Sequence, residues 1–151
     1  MFELPADALA LRNKVKHFVE TELRPLEVEA EMNEGRIDPA LSARHAQMAI
    51  DLGLSRMDAP KEYGGLALPA LTQVAASEMI GRVTNALGWC YNEAQGWMFE
   101  GCSEDQIQRY ILPLMRGEVS LCNPITEEDA GSDPATMKAT AVRDGDDYVV
   151  N

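Results

Sequence analysis

The sequence predicts a mainly α protein, with a helical domain over residues 1–118 and, at 119–151, the opening of a β-domain expected to need further strands. Three observations predict it. Apolar residues recur at helical spacing in four successive segments, the period changes to alternation near Glu118, and an Asp-Gly pair between two alternating runs marks a hairpin close to the end.

The first helix rests on Leu11, Val15, Phe18, Val19 and Leu23, one apolar stripe whose opposite face carries Arg12, Lys14, Lys16 and Glu20. Asp38-Pro39 reads as an N-cap followed by proline at the first helical position. Leu41, His45, Met48, Ala49 and Leu52 then repeat the stripe until Gly53 ends it. Lys61-Glu62-Tyr63-Gly64-Gly65 reads as a loop, and Pro69 opens a third helix carrying Leu71, Val74, Ala75, Glu78 and Met79. Asn85 to Glu100 has helical composition but is studded with Gly88, Trp89, Tyr91, Gly96 and Trp97; helix is expected, without defined ends. Ser103-Glu104-Asp105-Gln106 is a capping box, followed by Ile107, Tyr110, Ile111 and Leu114 and a stop between Pro113 and Gly117.

From Val119 the pattern is that of a strand, with Val119, Leu121, Asn123 and Ile125 on one face. A second alternating run, Met137 to Arg143, turns through Asp144-Gly145-Asp146-Asp147 into Tyr148-Val149-Val150-Asn151. So few strands without a covering layer leave open edges and an uncovered apolar face, which is why more of the β-domain is expected to follow.

Composition bounds the function. At 151 residues the chain has room for a core that buries roughly two thirds of its unfolded surface. With 25 acidic against 13 basic side chains and a net charge of −12, it lacks the cations that neutralise a nucleic-acid backbone. No apolar run approaches the ~18 residues of a membrane span, and Met1-Phe2-Glu3-Leu4-Pro5 lacks the features of a signal peptide, so the expected location is cytoplasmic. Cys90, Cys102 and Cys122 match neither a disulfide framework nor zinc-ligand spacing and read as reduced thiols. His17 and His45 lack any ligand cluster, so no metal is expected; His45, inside an apolar stripe, reads as a satisfied core or boundary histidine.

The segment that could carry chemistry is Thr126-Glu127-Glu128-Asp129-Ala130-Gly131-Ser132-Asp133. Two readings stand side by side. It can hold a ligand through main-chain N–H groups, the threonine and serine hydroxyls and a backbone left accessible by Gly131. It can equally be an acidic surface turn in which Asp and Ser bond the local backbone. An anionic ligand carries a condition. At ~6 Å and an effective dielectric of ~20 each like-charge pair costs roughly 3 kcal/mol, so the four carboxylates must point away or meet cations.

This segment resembles the T-E-P-x-A-G-S-D signature of the acyl-CoA dehydrogenase family. In register with it, Pro60 to Gly65 is similar to that family's P-E-E-Y-G-G loop. Ser103 to Gly117 resembles its G-S-E-E-Q-K-x-x-Y-L-P-x-L-x-x-G helix, and Gly145 to Asn151 its G-D-x-Y-x-L-N hairpin. The resemblance implies a helical N-terminal domain, a middle β-domain and a C-terminal bundle, with FAD and an acyl-CoA thioester between them; this chain corresponds to the first and the start of the second. It implies that Ile125 and Thr126 meet the pyrimidine edge of the flavin, that Gly131 and Ser132 reach the FAD pyrophosphate, and that Asn123 lies near the ring. The departure is Glu128, where the family usually has proline.

The implied reaction is α,β-dehydrogenation of an acyl-CoA in fatty acid metabolism. Its glutamate base lies in the family's C-terminal part, so no catalytic residue is assigned; Glu78, Glu93 and Glu100 read as solvated. The implied partners are the acyl-CoA substrate, electron-transfer flavoprotein or a similar acceptor, and further copies of the complete protein. Trp89, Tyr91 and Trp97 read as core, with acyl-pocket lining as the alternative. Two other functions stay open: a non-catalytic truncated paralogue or helical interaction module, and a flavin monooxygenase or oxidase of the same fold.

Overall fold

A computed structural model describes residues 3–151; Met1 and Phe2, which entered the reading for a leader, lie outside the described residues. The chain divides into two compact units, one running to Leu121 and the other Cys122–Asn151.

In the first unit, α1 (Ala6–Phe18) passes without a break into a π turn, Val19–Leu23, and a 3₁₀ turn, Arg24–Leu26, before α2 (Glu27–Met32). The expected stripe is the buried one: Val15, Phe18, Val19 and Leu23 are almost fully enclosed. They meet Ala76, Met79 and Ile80 of α4 (Ala70–Ile80) and Ala49 of α3 (Pro39–Asp51) in the main core. Leu54 and Met57, fully buried in the same cluster, each contribute about 1.5–3 kcal/mol by leaving water. The predicted cap of α3 is present, with the Asp38 carboxylate accepting from the N–H groups of Ala40 and Leu41 at 3.0 and 3.1 Å. Gly53 ends the helix in the left-handed region at φ +84°.

The 60–65 loop is closed from both sides. Tyr63, Gly64 and Gly65 donate within it, while Leu66, Ala67 and Leu68 donate to the carbonyls of Arg56, Ala59 and Met57 at 3.0, 3.0 and 2.8 Å. Gly65 is required by packing, because a Cβ there would overlap the Ala59 carbonyl.

Three expectations change. On α4 the buried face is Thr72, Ala75, Ala76 and Met79, whereas Val74 points outward; the stripe is rotated because small residues allow α1 to approach. Asn85 to Glu100 is not one helix but α5 (Asn85–Gly88) and α6 (Gly96–Gly101), joined by an irregular stretch. Gly88 packs against the Ile80 carbonyl at the end of the first piece, and the Asp58 carboxylate takes the Gly96 N–H at the start of the second. The strand expected from Val119 is absent. No ladder includes it, and Ile125 N–H folds back to the Asn123 carbonyl at 2.9 Å around Pro124, a γ-turn pattern with a ring that cannot donate to a sheet.

The capping box forms as predicted, with Ser103 and Gln106 exchanging bonds. The helix then proceeds as α7 (Glu104–Gln106), a π turn over Ile107–Ile111 and α8 (Leu112–Met115). The widened turn ends just before Pro113 of α8, a residue with no N–H for the regular ladder. Ile107, Ile111, Leu114 and Met115 build a second core cluster with Ala59, Ala94 and Met98. Ser55, buried, donates to the Met115 carbonyl at 2.8 Å and ties the two clusters together.

In the second unit, β1 (Ala141–Asp144) and β2 (Asp147–Val150) pair antiparallel around Gly145-Asp146, with Val142 opposite Val149 and Gly145 at φ +62°. The predicted hairpin is present, and a further reciprocal backbone pair joins Thr140 and Asn151. No helix among the described residues is long and apolar enough to cross a membrane.

Candidate functional site

The 123–133 segment organises itself around one turn. Glu127 and Ala130 exchange backbone bonds, N–H of Glu127 to the Ala130 carbonyl at 3.0 Å and the reverse at 3.3 Å, which places Glu128 and Asp129 at the tip. Glu128 stands at the second turn position, where proline is favoured in the common turn types.

The carboxylates are largely committed elsewhere. Glu127 accepts from the backbone N–H groups of Lys138 and Ala139 at 2.8 and 3.0 Å, which holds its carboxyl below the usual range. Asp129 meets the Lys138 ammonium at 2.6 Å, and Asp133 caps the next turn by accepting from Ala135 N–H at 3.1 Å. Only Glu128 has no partner among the described residues.

What remains is a row of donors. Among the described residues the N–H groups of Gly131 and Ser132 find no acceptor within the chain, and the Thr126 and Ser132 hydroxyls are equally unengaged. Nothing lies within 4 Å of where a Cβ on Gly131 would be. Asn123, Ile125, Thr126, Gly131 and Ser132 are all exposed and lie on this one stretch of backbone. Such a donor set suits an anionic or carbonyl-rich group. Lys138, the cation of the turn, was not legible in advance; its only signal was a lone basic residue near an acidic run.

A second constellation centres on Asp58. Its carboxylate takes the Gln73 amide at 3.1 Å and the Gly96 N–H at 2.7 Å, so one side chain joins α4 to the start of α6. Within the intervening 89–95 stretch Glu93 is half-buried, and desolvation first, then the Asp58 charge, raise its pKa against the lowering effect of Gln95. It is therefore not the solvated glutamate expected. Glu78 and Glu100 are exposed, Glu78 pairing with Arg12 at 3.3 Å and Arg82 at 2.7 Å. Trp89 and Trp97 are 79% and 66% exposed, against the core reading, whereas Tyr91 packs on the main core. Sequence reasoning missed Asp58 because nothing local distinguishes it.

The two histidines separate. His17 is exposed on α1. His45 is buried, but its Nε2 has no hydrogen-bond partner among the described residues, so it is a core histidine and not a satisfied one. No group of His, Cys, Asp and Glu suited to a metal ion is present among the described residues.

Comparison with known proteins places this architecture. A family model described as "Acyl-CoA dehydrogenase, N-terminal domain" matches residues 5–118. The short-chain specific acyl-CoA dehydrogenase of Clostridium acetobutylicum is 27% identical over 99% of this chain and 39% of its own length. The mitochondrial short-chain enzyme of Mus musculus is 31% identical over 99% and 36%. A crystal structure of a glutaryl-CoA dehydrogenase from Mycobacterium smegmatis in complex with FADH2 superposes with TM-score 0.79 at 26% identity, over 98% of this chain and 38% of that one. The chain thus spans well under half the length of the relatives it matches.

Proposed function

The chain belongs to the acyl-CoA dehydrogenase family, and we propose that it supplies the helical N-terminal part and the flavin-contacting loop of an FAD-dependent enzyme that dehydrogenates an acyl-CoA between Cα and Cβ. The observation that carries this reading is the condition met in the 126–133 loop. Three of its four carboxylates are turned to backbone N–H groups or to Lys138, which leaves the donors of Gly131, Ser132 and Thr126 for an anionic cofactor.

In this reading the N–H groups of Gly131 and Ser132 and the Ser132 hydroxyl hold the pyrophosphate. Ile125 and the Thr126 hydroxyl orient the pyrimidine edge of the ring, with Asn123 alongside. Bound FAD supplies the acceptor for the hydride leaving the substrate β-carbon. The general base belongs to the part of the family fold that this chain does not include, and no residue here is assigned that role. Trp89 and Trp97, large and exposed, are proposed as apolar walls for an acyl chain. The acceptor of the electrons is proposed to be an electron-transfer flavoprotein or similar protein, and the complete enzyme a homo-oligomer; the domain boundary is proposed to follow residue 118.

The test is retention of flavin through gel filtration, with the chain alone and mixed with any polypeptide encoded immediately downstream. Comigration of flavin that is lost on combining Thr126→Val with Ser132→Ala is the expected result. No retention under either condition would overturn the reading in favour of a non-catalytic module.

A further inference from the structure

Between α1 with its π turn and α3 lies His45, 1% exposed, with Nε2 directed at no hydrogen-bond partner. The edge of the Phe18 ring faces the imidazole, at a centroid distance of 6.2 Å. Among the described residues two charged groups act on it directly. Glu22, from the π turn, brings Oε2 to 4.0 Å of Nε2, beyond a hydrogen bond. Arg44, its neighbour on α3, holds that same carboxylate at 2.8 Å. A cavity of about 370 Å³ opens in this seam; besides Glu22 its charged or titratable lining groups are Lys14 and His17 on the α1 wall and Asp51 on the α3 wall, along with the apolar Phe18 and Met48.

A buried imidazole lacking a partner is tolerated while neutral, since it then behaves as a flat, weakly polar core residue. Protonation changes that. The cation needs a partner, and the carboxylate within reach is already engaged by a guanidinium whose own charge opposes a second cation beside it. We propose that the seam between the first helix and α3 is an acid-opened latch, closed while His45 is neutral and released when its Nε2 is protonated.

The direction of the titration agrees. Desolvation first, and Arg44 to a lesser extent, lower the His45 pKa from 6.5, while Glu22 acts in the opposite sense. A base whose pKa is lowered on folding gives stability that is complete above the unfolded value near 6.5 and is lost as pH falls through the folded value. Over that window each pH unit multiplies the unfolding constant by about tenfold for this one proton.

The experiment follows the His45 imidazole by nitrogen-resolved NMR in the 151-residue chain while recording amide exchange from pH 8 to 4.5. Expected are a His45 titration below 6.5 and a fall in the protection factors of the α1 and α3 amides, exchange being taken relative to its intrinsic rate at each pH, that tracks it ahead of the amides around Ile107–Met115. Glu22→Gln removes the carboxylate that favours the cation, so it should move the titration lower still. A titration at or above 6.5, an upward or null shift in Glu22→Gln, or protection factors falling uniformly over the first unit would overturn the latch. His45→Gln, if it folds, should flatten the acid limb of the stability profile; an unchanged limb would also overturn it.

Discussion

Glu127 and Glu128 are adjacent acids with opposite situations, one bound by two backbone N–H groups and the other alone at a turn tip. Glu128 has a negative φ and a position that proline favours. Replacing Glu128 with Pro is therefore expected to stabilise the chain by about 0.4–1 kcal/mol, chiefly by restricting the unfolded state, and to tighten flavin retention by removing an unpaired charge. Urea unfolding and flavin titration of the variant check both parts. For Glu127 the sign is the usual one for a carboxyl depressed on folding. Its contribution is present above the unfolded value of 4.5 and lost as pH falls through the folded one, so Glu127→Gln, which keeps an acceptor but no charge, should lower the protection factors of the Lys138 and Ala139 amides at neutral pH toward those of the unsubstituted chain in acid. These partnerships were not legible in the sequence. The motif gave the loop and its backbone donors, but Lys138 lies outside it and reaches Asp129 only because the chain turns back.

At the scale of elements, what the sequence carried best were the features with local causes: the Asp38 cap, the Ser103–Gln106 box, Gly53 as a stop and the Gly145 turn. What it carried badly depended on a distant partner in one place and, in the other, on a proline whose effect the alternation masked. The 85–100 segment is broken by Asp58, and the Val119–Ile125 alternation makes no ladder because Pro124 folds it. Removing the anchor tests this account: Asp58→Ala leaves the Gly96 N–H without its acceptor and the Gln73 amide with the Leu68 carbonyl alone, and should cost about 1–3 kcal/mol, with α6 amides losing protection before those of α1. If α6 and α1 open together in that variant, Asp58 is not what orders α6. Gly65→Ala, which forces a Cβ into the Ala59 carbonyl, should likewise cost at least about 1–3 kcal/mol in a thermal or urea melt.

Over the whole molecule, the two units differ in how they are held together. The first has two apolar clusters bridged by Ser55, whereas both strands of the second are exposed along their length, Val142 and Val150 at 60% and 70%. A two-stranded hairpin with neither face covered is marginal in water, since its ladder bonds compete with solvent and no burial offsets the ordering cost. Hydrogen exchange on the chain should thus divide in two: amides of α1 and α4 exchanging only by the largest openings, and those of β1 and β2 with small protection at every pH. Adding whatever covers the hairpin should raise protection on β1 and β2 while leaving the α1–α4 amides unchanged. Equal protection of both sets in the chain alone would mean that the hairpin already has a covering surface, and the expectation of further strands over it would fall with it.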